Sequence, residues 1–526
     1  MNQNKIFGNW INGKEVHSGS LPFSTYNPIL DQPNSGDFIE ATADEVSQAV
    51  EYASKDFYEF SRLSGDRRGE FLDAIAYEIE ALGDDLIQTY CNETGLPEGR
   101  ARGERGRTLG QLKLFADEAR SGSWQMPSID LAIPDRSPLP KADIRKVMLP
   151  LGPVAVFGAS NFPLAYSTAG GDTASALAVG CPVIVKSHPM HAGTSFMVAS
   201  AIVNAVHRTK MPKGIFAHLN SRDHRIGQQL ATHPMVKAIG FTGSEKGGRA
   251  LFDLAAQRKE PIPVFAEMGS VNPVVVFPEK LEHENDQLVQ ELSDSIMLGT
   301  GQFCTSPGLI FGIEGALWKS FCAQMGSSLS QRATQSMIHP NLKYAFNQMK
   351  SEQLKHAGLT TLCSISEVNG PNHVGQSLLQ LKGVDFINNP HFQHEVFGPF
   401  AIMVSCKDWE ELDLAISCLK GSLTGTIMAT QESLSSHVSL IEKLQHRVGR
   451  VIFNQVPTGV EVCASMQHGG PYPASTDSRF TAVGNDALLR WVRPVSFQNF
   501  PQTLLPKALQ TKNSLGLDQR IKSIKK

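Results

Sequence analysis

Cys304 sits in the run Gly299-Thr300-Gly301-Gln302-Phe303-Cys304-Thr305-Ser306-Pro307-Gly308. A helical pattern precedes it and the apolar Leu309-Ile310-Phe311 follows, so the thiol is expected on a loop between two regular elements. A loop thiol held by a rigid scaffold can act as a nucleophile, whereas a cysteine inside an apolar run usually serves as a small hydrophobe. Two more segments carry a polar group just past a short apolar strand. One is Phe157-Gly158-Ala159-Ser160-Asn161-Phe162-Pro163, the other Glu267-Met268-Gly269-Ser270. Asn161 falls at the carboxyl end of a parallel strand, where α/β sheets build their sites. Taken singly, Asn161 reads as a turn former and Glu267 as a solvated strand end.

The elements that would position these groups alternate. Val154-Ala155-Val156-Phe157, Pro182-Val183-Ile184-Val185-Lys186, Ile215-Phe216-Ala217-His218-Leu219 and Ala238-Ile239-Gly240-Phe241 read as buried strands. Helical stretches separate them: 164–179, 192–206, 225–231 and 246–256. That alternation describes a parallel, doubly wound α/β sheet. A second alternation runs from about 285 to 455. Residues 1–40 read as edge strands and turns, 42–88 as helical and 98–120 as a long helix whose Arg100, Arg102, Arg105 and Arg107 read as a solvated face, one Arg turned inward being the sharper alternative. The proline-rich stretch 123–150 reads as an extended arm, and the Lys-rich last twenty residues as partly loose.

A chain of 526 residues needs two or three cores. Hydrophobic residues make up 41% and charged residues 19%, and the net charge is −3, so nothing draws the chain toward nucleic acid or acidic membranes. No apolar run is long enough to span a bilayer, and the polar start carries no secretory signal. Eight scattered Cys show no metal-ligand spacing and no disulfide framework, so no metal is expected and a reducing, cytoplasmic setting fits.

In combination and order, the motifs resemble the aldehyde dehydrogenase superfamily over nearly the whole chain. They are Phe7-Gly8-Asn9-Trp10-Ile11-Asn12-Gly13-Lys14, Ser160-Asn161-Phe162-Pro163, Val185-Lys186, Phe241-Thr242-Gly243-Ser244, Glu267-Met268-Gly269, Gly301-Gln302-Phe303-Cys304, Glu395-Val396-Phe397-Gly398-Pro399 and Asn454 with Pro457-Thr458-Gly459. Gly170-Gly171-Asp172-Thr173, Val271-Asn272-Pro273 and His468-Gly469-Gly470-Pro471-Tyr472-Pro473 resemble one branch. It comprises the 2,5-dioxovalerate (α-ketoglutaric semialdehyde) dehydrogenases and the NADP-preferring long-chain aldehyde dehydrogenases.

The resemblance implies roles. Cys304 would attack the aldehyde, the Asn161 amide and the Cys304 N–H would hold the oxyanion, and Glu267 would activate water to release the acid. Lys186 would bind the adenosine ribose, and Gly243, Ser244 and Gly248 the pyrophosphate at a helix N-terminus. Glu395, beside Phe397, would hold the nicotinamide ribose. Pro189 stands where NAD-specific members often have a ribose-binding Glu, so NADP is expected as well as NAD, with His188 and Arg225 (or Arg222) as phosphate partners. Phe162 and Arg107 are the substrate candidates, Arg107 for a substrate carboxylate. The implied fold is two doubly wound α/β domains plus a β oligomerisation arm. Residues 1–130 and 151–266 would bind cofactor, 267–470 catalyse, and 131–150 with 471–526 form the arm of a homodimer or homotetramer.

Two other classes are weighed. A Cys hydrolase or esterase would need a His partner, and none of the sixteen His lies in a comparably loop-framed segment near the other motifs. A structural protein on an inherited enzyme fold would be favoured if Cys304, Glu267 or Asn161 were missing, and all are present.

Overall fold

The structure is a computed structural model and describes residues 6–522; Lys525 and Lys526 of the Lys-rich tail lie outside the described residues. Near the start, Asn12 and Gly13 both take positive φ and fold Lys14–Val16 back onto Asn9–Ile11. Thr42 and Glu45 then form a reciprocal capping box that opens the helix Ala43–Phe60. The helical pattern of 42–88 divides into three helices, Ala43–Phe60, Gly65–Ala81 and Gly83–Thr94, because Ser64 caps a new start and Gly83 turns left-handed.

The first sheet has seven strands in the order Val264–Glu267, Ala238–Thr242, Val154–Phe157, Val183–Lys186, Phe216–Leu219, Asn9–Ile11, Lys14–Val16. The first five run parallel. Alternate residues serve opposite cores: Val154 and Val156 pack with helices Gly171–Val179 and Ala192–Arg208, Ala155 and Phe157 with Ala43–Phe60 and Arg225–Thr232. Strand order reverses beside Val154–Phe157, the switch point where such sheets bind ligands. The helix expected over 164–179 covers only Gly171–Val179. Residues 164–170 are wound into turns instead, and the amides of Leu164 and Ala165 donate to the buried Glu104 carboxylate at 2.8 and 3.0 Å.

The second sheet is also seven-stranded: Thr360–Ser364, Ser377–Lys382, Phe400–Cys406, Leu309–Ile313, Val274–Val276, Ser422–Met428, Val448–Phe453. Only Thr360–Ser364 pairs antiparallel. A separate four-stranded sheet joins Val492–Gln498, Ile144–Pro150, Ser128–Asp130 and Arg520–Lys522. The expected two doubly wound bodies and β arm are therefore present.

Two placements, and the tail, differ from the sequence reading. Ser128–Asp130 belongs to the arm sheet. Residues 474–476 bond to the last strand of the first sheet, Met268 N to Ala474 O at 2.8 Å, and Trp491 is buried in that body's core. The tail segment Arg520–Lys522 is a strand, pairing parallel with Ser128–Asp130. Among the described residues no helix is long and apolar enough to cross a membrane.

Candidate active site

The carboxyl ends of the first sheet face the amino ends of the second. Asn161 follows Val154–Phe157, while Lys186 and Glu267 end their strands. From the other side come Asn272, just before Val274–Val276, Cys304, before Leu309–Ile313, and Glu395 with Phe397, before Phe400–Cys406.

Three successive left-handed residues aim the nucleophile loop: Gly299, Thr300 and Gly301, at φ 54°, 60° and 64°. At Gly301 a side chain is impossible, since a Cβ would stand 2.3 Å from the Gly398 backbone. Thr300 tolerates this conformation because Gln335 accepts from its amide and the Ser336 carbonyl accepts from its hydroxyl, at 3.1 and 2.9 Å. Asn272, at φ 43°, pins the far end of the loop. Its amide donates to the Cys304 and Ser306 carbonyls at 2.8 and 2.9 Å and its oxygen accepts from Ser270 and Thr424.

Cys304 Sγ lies 3.7 Å from His468 Nε2, which lies 3.1 Å from Glu267 Oε1. The three donor atoms are all within 4.8 Å of one another. The sequence shows no His in a comparably loop-framed segment near the other motifs, yet the fold brings His468 between thiol and carboxylate. It is 1% exposed, and its backbone is held by the Thr481 hydroxyl at 2.9 Å. Glu267 Oε2 is buried and has no protein partner. Asn161 Nδ2 donates to the Gln302 carbonyl at 2.8 Å, which places the amide over the loop with one N–H to spare. Burial first, then the Glu267 and Glu395 carboxylates, push the Cys304 thiol well above the usual range, against the pull of Arg107.

The helix Glu98–Ser121 supplies one wall. Its arginines divide by helical phase rather than forming one solvated face. Arg102 is exposed and pairs with Asp84 and Glu98, and Arg105 caps the Gly83 carbonyl. Arg100 and Arg107, two turns apart, point inward. Arg100 lies between the rings of Phe162 and Phe303, 4.4 and 4.5 Å from their centroids, with Glu104 at 3.7 Å. Arg107 donates to the Tyr166 hydroxyl at 2.8 Å, and its buried Nε has no partner. Phe162 packs edge-on against Phe303 and Tyr166, with ring centroids 5.4 Å away in each case.

Around the first sheet's edge, the groups fit a dinucleotide in part. Lys186 Nζ reaches the Ser221 carbonyl at 3.0 Å, and burial lowers its pKa to about 8. Glu395 accepts from the Ser270 amide at 3.3 Å and, with Phe397, Phe392 and Val271, lines a cleft. Gly269 makes room for it, since a Cβ there would come 2.5 Å from Glu395 Oε2. Burial raises Glu395 to about 7. Several of the groups expected here already have partners within the protein. The Gly243 amide is taken by the Glu267 carbonyl at 3.0 Å, and the Gly248 amide bonds inside its helix to Ser244 O. Ser244 Oγ caps Gly247, which leaves the amides of Glu245 and Lys246 as donors at this helix start. Gly248 instead lets the helix lean on Met268, whose Sδ a Cβ would meet at 2.6 Å. His188 is no ready cation: burial and the neighbouring His191 and Lys186 hold its pKa well below the usual imidazole value. Arg225 is not free either, being engaged by Asp223 and by the buried Glu40.

A thiol, a histidine and a carboxylate in reach of one another, an amide donor and a strand-end edge thus meet between two α/β bodies, an arrangement suited to covalent chemistry on a carbonyl. The sequence profile of the aldehyde dehydrogenase family matches residues 15–480, and the chain belongs to that family. It is 42% identical over 515 residues to alpha-ketoglutaric semialdehyde dehydrogenase 2 of Azospirillum brasilense, covering 98% of each chain. It is 41% identical to the alpha-ketoglutaric semialdehyde dehydrogenase of Acinetobacter baylyi, again over 98% of both. The fold is also that of methylmalonate-semialdehyde dehydrogenase from Oceanimonas doudoroffii, with TM-score 0.79 and 18% identity over 95% of this chain and 99% of that one. Betaine aldehyde dehydrogenase of Staphylococcus aureus, solved in complex with NAD+, gives 0.80 and 18% over 94% and 97%.

Proposed function

We propose that this aldehyde dehydrogenase oxidises 2,5-dioxovalerate (α-ketoglutaric semialdehyde) to 2-oxoglutarate. The chemistry rests on the chain of contacts from Cys304 through His468 to Glu267. The substrate rests on Arg107, an inward guanidinium with no carboxylate within 4.0 Å among the described residues, and on the names of the two relatives. A desolvated guanidinium is costly unless an anion meets it. A long-chain neutral aldehyde would leave it unmet.

The aldehyde carbon is attacked by Cys304 Sγ. The new C–S bond displaces the carbonyl π pair onto oxygen, where Asn161 Nδ2–H and the Cys304 amide receive it. His468 Nε2 takes the thiol proton. The nicotinamide supplies the acceptor for the hydride that leaves the thiohemiacetal carbon. A thioester on Cys304 remains. Glu267, with its free oxygen, takes a proton from water as the water oxygen adds to the acyl carbon, and the Cys304 thiolate departs.

Lys186, the Glu245 and Lys246 amides and Glu395 are the residues placed to hold the cofactor. Both nucleotides are accepted in this reading: no carboxylate occupies position 189, and Arg225 can turn from Asp223 to a 2′-phosphate. Arg225→Met should then lower kcat/KM for NADP at least fivefold more than for NAD. Residues 6–127, 151–267 and 468–491 form the cofactor body and 268–467 the catalytic body, so Glu267 and His468 come to Cys304 from the first. The arm sheet joins copies of the chain into a dimer or tetramer.

A panel of 2,5-dioxovalerate, succinic semialdehyde, pentanal and a long-chain aldehyde, run with each nucleotide, tests this. The highest kcat/KM should fall to 2,5-dioxovalerate, and Arg107→Met should raise its KM far more than that of pentanal. A long-chain aldehyde at the head of the panel would overturn the substrate. Turnover of esters at the same rate without any nicotinamide would overturn the reaction in favour of a hydrolase.

A further inference from the structure

Arg450 lies in the strand Val448–Phe453 at the edge of the second sheet, on a different element from Arg107. Its Nη2 donates to the carbonyls of Pro457 and Gly459, at 3.1 and 3.0 Å, and its Nη1 approaches Met466 Sδ at 3.8 Å. Met466, with Val460 and Val462, packs against the cluster of Phe162, Tyr166 and Phe303. The guanidinium is thus held at the rim of the same aromatic pocket that Arg107 enters through Tyr166. Three arginines surround that pocket, and Glu104 balances only Arg100. Among the described residues neither Arg107 nor Arg450 has a carboxylate within 4.0 Å, and each buries an Nε without a partner.

Electrostatics agree with the geometry. Arg107 and Arg450 both act on the Cys304 thiol and on the Tyr166 hydroxyl, so their charges converge on one region. Two carbonyl acceptors hold the Arg450 side chain in place but leave its charge uncompensated. Two half-buried cations beside one aromatic cluster and without anions suit a small anion. On Arg450 the Nε–H and one Nη1–H remain for a carboxylate oxygen, and the oxygen of a neighbouring keto group offers a further acceptor.

We infer that Arg107 and Arg450 form a two-sided subsite for the substrate's carboxylate, with Arg450 closing from the catalytic body on the anion that Arg107 meets from the helix. This rests on the reading of the substrate as a carboxylated aldehyde. It makes Arg450 a specificity determinant and places the recognising charges on two different bodies of the chain.

The test compares 2,5-dioxovalerate with pentanal, which has the same chain length and no carboxylate. Arg450→Met should lower kcat/KM for 2,5-dioxovalerate by about tenfold or more, chiefly through KM, with a loss for pentanal at least tenfold smaller. Arg450→Lys should recover part of the loss. Competitive inhibition by glutarate, a dicarboxylate that cannot react, should weaken in step. In the Arg107→Met, Arg450→Met double variant the losses should fall short of the product of the single ones, because both arms grip one anion. Equal losses on both aldehydes, carried in kcat with glutarate binding unchanged, would reduce Arg450 to an anchor for the 457–466 loop and overturn the subsite. A wild-type enzyme that prefers pentanal would overturn the substrate reading itself, and the two failures are told apart by that control.

Discussion

Glu267 turns one carboxylate oxygen to His468 and leaves the other without a partner. That division fits the proposed work on water better than a part in the first attack. Glu267→Gln keeps the shape and removes the proton acceptor. Rapid mixing should then show a burst of reduced nicotinamide followed by slow turnover, and loss of the burst as well would move Glu267 into thiol activation. Glu395 gives a second test. Its folded pKa of about 7 lies above the ordinary carboxylate range, so the folded state holds a proton that the unfolded chain has released. Stability therefore falls as pH rises through that window. Glu395→Gln should raise the Tm of the cofactor-free protein at pH 8, and the gain should shrink toward pH 5. An equal gain at both values would remove the buried charge as its cause. Cys304, Glu267 and Asn161 stand out in the sequence because each lies beside a strand-end break, and the fold brings their segments to one place. His468 does not, although it lies in a motif marking one branch of the family. It is 164 positions from the thiol, and only the meeting of the two bodies brings it there.

At the scale of elements, the nucleophile is a loop held at both ends. Asn272 bonds two of its carbonyls and links them to Ser270, whose amide holds Glu395. Asn272→Ala leaves buried acceptors without a donor, at about 1–3 kcal/mol each. kcat should fall at least tenfold while nucleotide affinity moves within a few fold. Asn272→Asp, equal in shape but lacking the amide donors, should fail in the same way; recovery in that variant would exclude the anchoring role. The Glu98–Ser121 helix shows where pattern reading runs out. Its arginines looked like one charged face, with Arg107 the sharper possibility. Phase separates Arg100 and Arg107 from Arg102, but which side faces a pocket depends on Phe162 and Tyr166, brought there by another segment. Likewise the glycines at 243 and 248 marked the right turn. What their amides bond to, the Glu267 carbonyl and the helix itself, was settled by strand pairing that no local pattern encodes.

For the whole molecule, the alternation of strands and helices was enough to read two doubly wound bodies, since buried parallel strands are apolar on both faces. The arm was harder. Its four strands come from residues 128 to 522, and the last of them was read as a loose tail. The outer strand Val492–Gln498 leaves one edge of that sheet open, a surface proteins ordinarily cover. Sedimentation velocity should give a particle of two or four times the 57.3 kDa chain, and a monomer at micromolar concentration would refute the arm's assembly role.

The facing of the two sheet edges also governs when the chain becomes dangerous to itself. During synthesis the base and the amide donor are made before the thiol, and His468 after it. A chain with either body unfinished owns a cysteine but no relay to draw off its proton. In the proposed mechanism, reactivity therefore waits for the registration of one body on the other. In a denaturant series, aldehyde oxidation should accordingly vanish before helical circular dichroism does, because sliding the bodies by an ångström separates the relay while both sheets persist.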